Sequence, residues 1–210
     1  MVSIGIGITT YKRPECLKEC LEHIYKHTFT DNVKIYIATD TDEDRRGVAF
    51  RKNECLRSLK NCDHIFLFDD DCYPINDGWV EFFIRAGENH LLFLNDKLHN
   101  LKDVQGVEGV KYYNDCGGVF MYMTKRMINE TIGAFDEKFE LWGMEHCDWS
   151  VRYAGNKTFM MLEGTEEYLY AHDYSNINHK SSITNEEKNL LFSKNFPKFA
   201  KGFKDKYIPL

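Results

Sequence analysis

A single α/β domain with a mostly parallel central sheet flanked by helices is the fold class this 210-residue sequence predicts. Three observations carry the prediction. Apolar runs of strand length alternate with helical patterns from the N-terminus to Asp71, and each run ends in polar residues. The composition, 43% apolar, 14% aromatic and 29% charged, is that of a chain with one sizeable core.

The elements follow in order. Val2 to Ile8 reads as a buried strand, and Pro14 suits the first turn of a helix to about His27, with Leu17, Leu21, Ile24 and Tyr25 as its apolar stripe. "VKIYIATD" gives a second strand ending at Asp40, "TDEDRRG" a turn, Val48 to Leu59 a helix, and "HIFLF" a third strand. Ligands in such sheets bind at the carboxyl ends of the strands, where Thr9, Tyr11, Asp40 and the run Asp69, Asp70, Asp71 all fall. Next come a helix in "NDGWVEFFIRAG", a strand in "HLLFLN", one or two strands in "VKYYNDCGGVFMYM", and helices in "TKRMINET" and "EHCDWSVRYAG", the last closing on glycine. "DYSNINHKSSITNEE" reads as a loop, with Ser182 to Glu186 opening a final helix. Residues 1–210 read as one domain with 181–210 as a helical end; excision from a longer protein is consistent with this layout.

A formal charge of -6 argues against nucleic acid or an anionic membrane as the main partner. "MVSIGIGITTYKRP" has no basic leader or cleavage site, and no window approaches about 18 apolar residues. Seven cysteines without a C-x-x-C pair fit free thiols in a reducing, cytoplasmic setting. Sequons at Asn129 and Asn156 fall in predicted regular structure and read as chance.

"GIGITT" lacks the third glycine of a dinucleotide site, and the P-loop, H-E-x-x-H and G-x-S-x-G motifs are missing. Three adjacent acids after a strand repel one another unless a cation or open water relieves them, and carboxylates suit Mg²⁺ or Mn²⁺ bound beside a nucleotide diphosphate. A solvated turn is the plainer reading of the same residues. Downstream, "FELWGMEHCDWSVR" gathers Glu145, His146 and Asp148 at a helix start, and "YLYAHDYS" brings His172 to the end of an apolar run.

Together "TTYKRPECLKECL", the Asp ending strand two, "RRGVAFRKNECL", "FDDDC", "CGGVFMYMTKRMINETIGAFDEKFELWGMEHCDWSVR" and the following His resemble the GT-A glycosyltransferases, particularly the family-two type, over roughly residues 3 to 175. More loosely, the chain looks like glycosyltransferase domains encoded by large algal (chlorella) viruses.

The resemblance implies a Rossmann-like GT-A domain that moves a sugar from a UDP-sugar to a hydroxyl of a glycan or glycoprotein. It assigns Thr9, Tyr11, Arg13 and Asp40 to base and ribose, and Arg46 and Arg51 to phosphate or ribose. Asp71 becomes the main metal ligand, with Asp69 and Asp70 on ribose or metal waters and His172, or His179 as fallback, completing the set. Mn²⁺ is preferred to Mg²⁺ because imidazole suits the softer ion. Gly117, Gly118 and Trp142 border the acceptor pocket, with Trp149, Tyr112 and Tyr113 as further aromatic candidates. The family's general base falls at His146 where a carboxylate is common, with Glu145 and Asp148 on either side; that departure tilts the expectation towards retention. A nucleotidyltransferase and a non-catalytic sugar-binding domain are the rival readings.

Overall fold

The computed structural model describes residues 2–88, 91–93, 102–103, 108–113, 117–155, 159–172, 182–202 and 206–210. The expected Cys116, Asn156 and His179 lie outside these. Strand β1 (Ile4–Tyr11) leads into helix α1 (Pro14–His27), which starts on the expected proline, then β2 (Val33–Asp40), α2 (Val48–Leu59) and β3 (His64–Asp69). After the acids come β4 (Cys72–Pro74), α3 (Trp79–Ile84), β5 (Leu91–Phe93), β6 (Lys102–Asp103), β7 (Val110–Tyr113) and β8 (Gly117–Thr124). A π-helical turn (Met127–Thr131) and a 3-10 turn (Glu137–Phe139) precede α4 (Glu145–Ala154). The chain ends with β9 (Phe159–Leu162), α5 (Thr165–Tyr168), β10 (Leu169–Ala171) and α6 (Asn185–Ala200).

The main sheet has the order β2-β1-β3-β8-β5-β9-β7-β6. β1 pairs in parallel with both β2 and β3, β5 with β9, while β8 and β7 run antiparallel to their neighbours. All strands but those two therefore point the same way, as expected. A separate ladder joins β10 to β4.

Alternation along the strands divides the core. Ile4, Ile6, Ile8, Phe66, Phe68 and Phe120 face α1 and α3, where Trp79 packs edge-on to Phe66 and Phe68. Ile65, Leu67, Met121 and Met123 face α2 and α4 with Trp149. Each such fully buried large side chain contributes roughly 1.5–3 kcal/mol. β1 carries glycine where α2 presses closest: a Cβ at Gly7 would lie 2.7 Å from Cys55 Cβ and Leu67 Cδ2.

Two expectations change. Tyr25 is 69% exposed, because the buried stripe of α1 runs through Cys20, Ile24 and His27. "TKRMINET" holds a π-helical turn, closed by Ile132 N–H donating to Met127 O, and carries Asn129. The six described cysteines are free thiols.

Candidate functional site

The strand register assembles the site. Tyr11 sits opposite Asp40, and Thr9 opposite Asp69, so the carboxyl ends of β2, β1 and β3 lie side by side. Above them opens a cleft walled by Tyr11, Arg13, Arg45, Asp69, Asp71 and Lys188 among others. Leu141 and Trp142 form one rim and Ser182 and Ile183 another.

The triple Asp divides by direction. Asp69 and Asp71 line the cleft; Asp70 is fully buried beneath it, accepting from Thr10 Oγ1 at 2.5 Å and from the Arg13 guanidinium. The other arm of Arg13 donates to Asp71 Oδ2 at 2.6 Å. Burial pushes the Asp70 carboxyl up to about 7 against the pull of Arg13 and Thr10, and burial also raises Asp69. Positive charge beside these acids is thus supplied by Arg13 at Asp70 and Asp71 and by Lys52 near Asp69. Thr9 Oγ1 donates to Asp69 Oδ1 at 2.9 Å, so it props a carboxylate.

Asp40 is heavily committed. Its oxygens accept from the Arg46 and Gly47 amides at 2.8 and 3.0 Å and from Arg51 Nε at 3.1 Å, leaving little room for another donor. Arg51 also holds Asp44 and Glu54. Arg46 stacks on Phe50, 4.0 Å from the ring centroid, away from the cleft. Its neighbour Arg45 lines the cleft instead, 4.9 Å over the Tyr11 ring and bonded to Glu187 at 2.6 Å. A run of two arginines gave no signal for which one turns inward.

A smaller cavity of about 310 Å³ shares Asp69, Val48 and Trp142 with the cleft and adds Gly118, Gly143, Glu145 and His146. Lys52, buried on α2, donates to Glu145 Oε1 at 3.1 Å and to Gly118 O at 3.2 Å and lies 3.9 Å from Asp69. Sequence reasoning missed Lys52, because a lysine on an amphipathic helix reads as solvated surface. Burial opposes charge on Glu145, but Lys52 and His146 outweigh it and hold the carboxyl far below its usual range. Its second oxygen, Oε2, has no hydrogen-bond partner among the described residues. Burial likewise opposes an imidazolium, yet contacts with Cys147 and Glu145 raise His146 to about 10.

The remaining assignments separate. Asp148 turns away from both cavities, its oxygens taken by Arg152 Nε at 2.9 Å and Lys138 at 3.4 Å; Arg152 in turn clamps the carbonyls of Ile132, Ala134 and Lys206. Trp149 is buried and donates to Gly133 O, and Tyr113 is buried as well, so of the aromatic candidates Trp142 is the one that borders both cavities. Gly118 makes room for a protein ring, since a Cβ there would run into His146, whereas Gly117 has open space around it. His172 N–H donates to Asp71 O at 3.0 Å through the β4–β10 ladder, which sets it beside the acids, with its ring against Tyr170.

A divalent ion fits two of these residues. Asp69 and Asp71 offer hard oxygen donors to the cleft, the usual protein share for an ion that a diphosphate and waters complete. Among the described residues no three acidic, histidine or cysteine side chains converge as a ready ligand cluster, and Arg13 occupies Asp71 Oδ2.

No family model and no curated protein sequence matches this chain. Solved structures do. S. aureus TarS superposes with a TM-score of 0.58 at 11% identity, covering 98% of this chain and 41% of TarS. The chain has the GT-A fold. Drosophila β1,4-galactosyltransferase 7, a mutant in complex with manganese, UDP-Gal and xylobiose, gives 0.57 at 15% identity over 91% of this chain and 79% of that one. GalNAc-T7 with UDP, GalNAc and Mn²⁺ gives 0.57 at 8% identity over 77% and 42%. This chain spans less than half of TarS and of GalNAc-T7.

Proposed function

We propose that this protein is a family-two-like glycosyltransferase that moves a sugar from a UDP-sugar to a hydroxyl of a glycan or glycoprotein, assisted by Mn²⁺ or Mg²⁺. The observation that carries the reading is the pair of joined cavities with Asp69 at their shared wall. That arrangement suits a donor on one side and an acceptor on the other, with the reacting carbon near Asp69. The complexes of two fold neighbours with UDP, sugars and manganese support the donor class.

Tyr11, backed by Arg45, offers an aromatic face for the uracil. Asp40 serves to hold the 45–47 turn and Arg51 in place. Arg13 and Lys188 are the chain's own cations for the diphosphate; in releasing Asp71, the Arg13 fork becomes free to bind phosphate oxygens bidentately. A hard divalent ion on Asp69 and Asp71 supplies further charge neutralisation for the departing diphosphate.

Each base candidate is poorly suited to abstracting a proton. His146 is held protonated near neutral pH, Asp148 is consumed by Arg152, and Glu145 is held ionised too firmly by Lys52 to be a strong base. Glu145 Oε2 instead orients the acceptor hydroxyl, and the proton leaves with the diphosphate on the same face of the sugar. This favours retention.

Titration calorimetry of UDP against UTP, GDP and CMP, with Mn²⁺ and then with chelator, on wild type and Asp71→Ala tests the donor assignment. Metal-dependent UDP binding lost in the variant is expected; preference for a triphosphate refutes it. The anomeric configuration of the product, read by NMR, then decides retention.

A further inference from the structure

Glu145, His146 and Cys147 are consecutive, yet their side chains form a relay. Cys147 Sγ lies 3.3 Å from His146 Nε2, and His146 Nδ1 lies 3.4 Å from Glu145 Oε1. Nucleophile, imidazole and orienting carboxylate in that order is the arrangement that activates a thiol. Gly118 fixes the ring, because the space a side chain would fill there is occupied by His146. Two further features favour a thiolate. Cys147 is the third residue of the ten-residue helix α4, where the helix dipole attracts negative charge, and it is partly exposed.

The other described cysteines differ. Cys20, Cys55, Cys62 and Cys72 are buried and burial pushes their thiols up, Cys55 to about 12. Cys16 is partly exposed like Cys147, but burial, aided by Asp70 and Asp71, raises its thiol despite nearby Arg13. Glu145 adds an independent pointer: it is buried, lines the smaller cavity, and presents an oxygen with no partner among the described residues.

We propose that Cys147 is an activated thiol, with His146 as its partner, and that its substrates are small oxidants and electrophiles, peroxide foremost. With hydrogen peroxide the sulfur attacks one oxygen. An S–O bond forms as the O–O bond breaks, sulfur is oxidised to the sulfenic acid, and the departing hydroxide takes the His146 proton to leave as water.

Pulse alkylation of the folded protein with iodoacetamide, followed by peptide mass spectrometry, tests this without reference to sugar transfer. At pH 6 Cys147 should react at least about tenfold faster than Cys16, and its rate should stay nearly flat to pH 8, whereas that of Cys16 should climb about tenfold per pH unit. His146→Gln should bring Cys147 down to the Cys16 rate, and dimedone after peroxide should mark Cys147. The wild-type pH profile stands even if that variant folds poorly. A Cys147 no faster than Cys16 at pH 6, or a folded His146→Gln protein with an unchanged rate, overturns the proposal.

Discussion

Lys52 shows how much one buried charge can hold together. It bridges Glu145 and the neighbourhood of Asp69 from a position without access to water, so both acids depend on it for charge compensation. Lys52→Met should cost about 3–5 kcal/mol in urea unfolding, because it strands Glu145 as an unpaired buried carboxylate. Adding Glu145→Gln should recover most of the loss; a single variant within about 1 kcal/mol of wild type would mean that Glu145 is compensated elsewhere. His146 carries a pH signature of its own. Its folded value, about 10, lies above the unfolded 6.5, so its contribution to stability is complete below pH 6.5 and disappears as pH rises towards 10. Urea midpoints should fall across that window in wild type and fall less in His146→Gln. Equal slopes would remove the ion pair from the account. The visible and invisible residues differ for a physical reason: three acids at a strand end are costly and so stand out, whereas Lys52, Arg45 and Glu187 matter only through partners far away in sequence.

At the level of elements, the parallel half of the sheet was readable because strand and helix periods alternate there and Pro14, Gly47 and Gly155 mark helix ends. β4, β10 and the π-helical turn were not, since pieces of three to five residues carry no period and are held by tertiary pairing. That β4–β10 ladder is what sets His172 next to Asp71. The close seat of α2 on β1 gives a direct test. Gly7→Ala places a methyl within 2.7 Å of Cys55 and Leu67, so helix and sheet must part, at a cost of about 1–3 kcal/mol. Because α2 also carries Lys52 and Arg51, the same variant should weaken nucleotide binding although it touches no ligand. Unchanged stability would show that the packing can absorb the methyl.

Across the whole molecule the cleft is built, beside Val119 of β8, from three distant stretches: residues 9–71 at the strand ends and the start of α2, the rim at Leu141 and Trp142, and the segment from Ser182 to Lys188 at the head of α6. Asn195 ties α6 to the rim by donating to the Phe139 and Trp142 carbonyls, and Arg45 ties it to the strand ends through Glu187. A ligand in the cleft therefore bears on all three at once and should stabilise the folded chain as a unit. At a UDP concentration about 100 times Kd, with Mn²⁺, linkage supplies about 2.7 kcal/mol, which for a chain of this length raises Tm by about 5–10 °C. Mn²⁺ alone should do far less, because Arg13 already neutralises Asp70 and Asp71. Lys188→Glu places a negative charge at the phosphate end of the cleft and should abolish most of the UDP-dependent rise while leaving the ligand-free Tm within a few degrees, the residue being half-buried at the cleft edge. A rise of the same size in Lys188→Glu would remove α6 from the donor site; a full rise with Mn²⁺ alone would show that the acids hold the ion before any nucleotide arrives, and that Arg13 is no barrier to it.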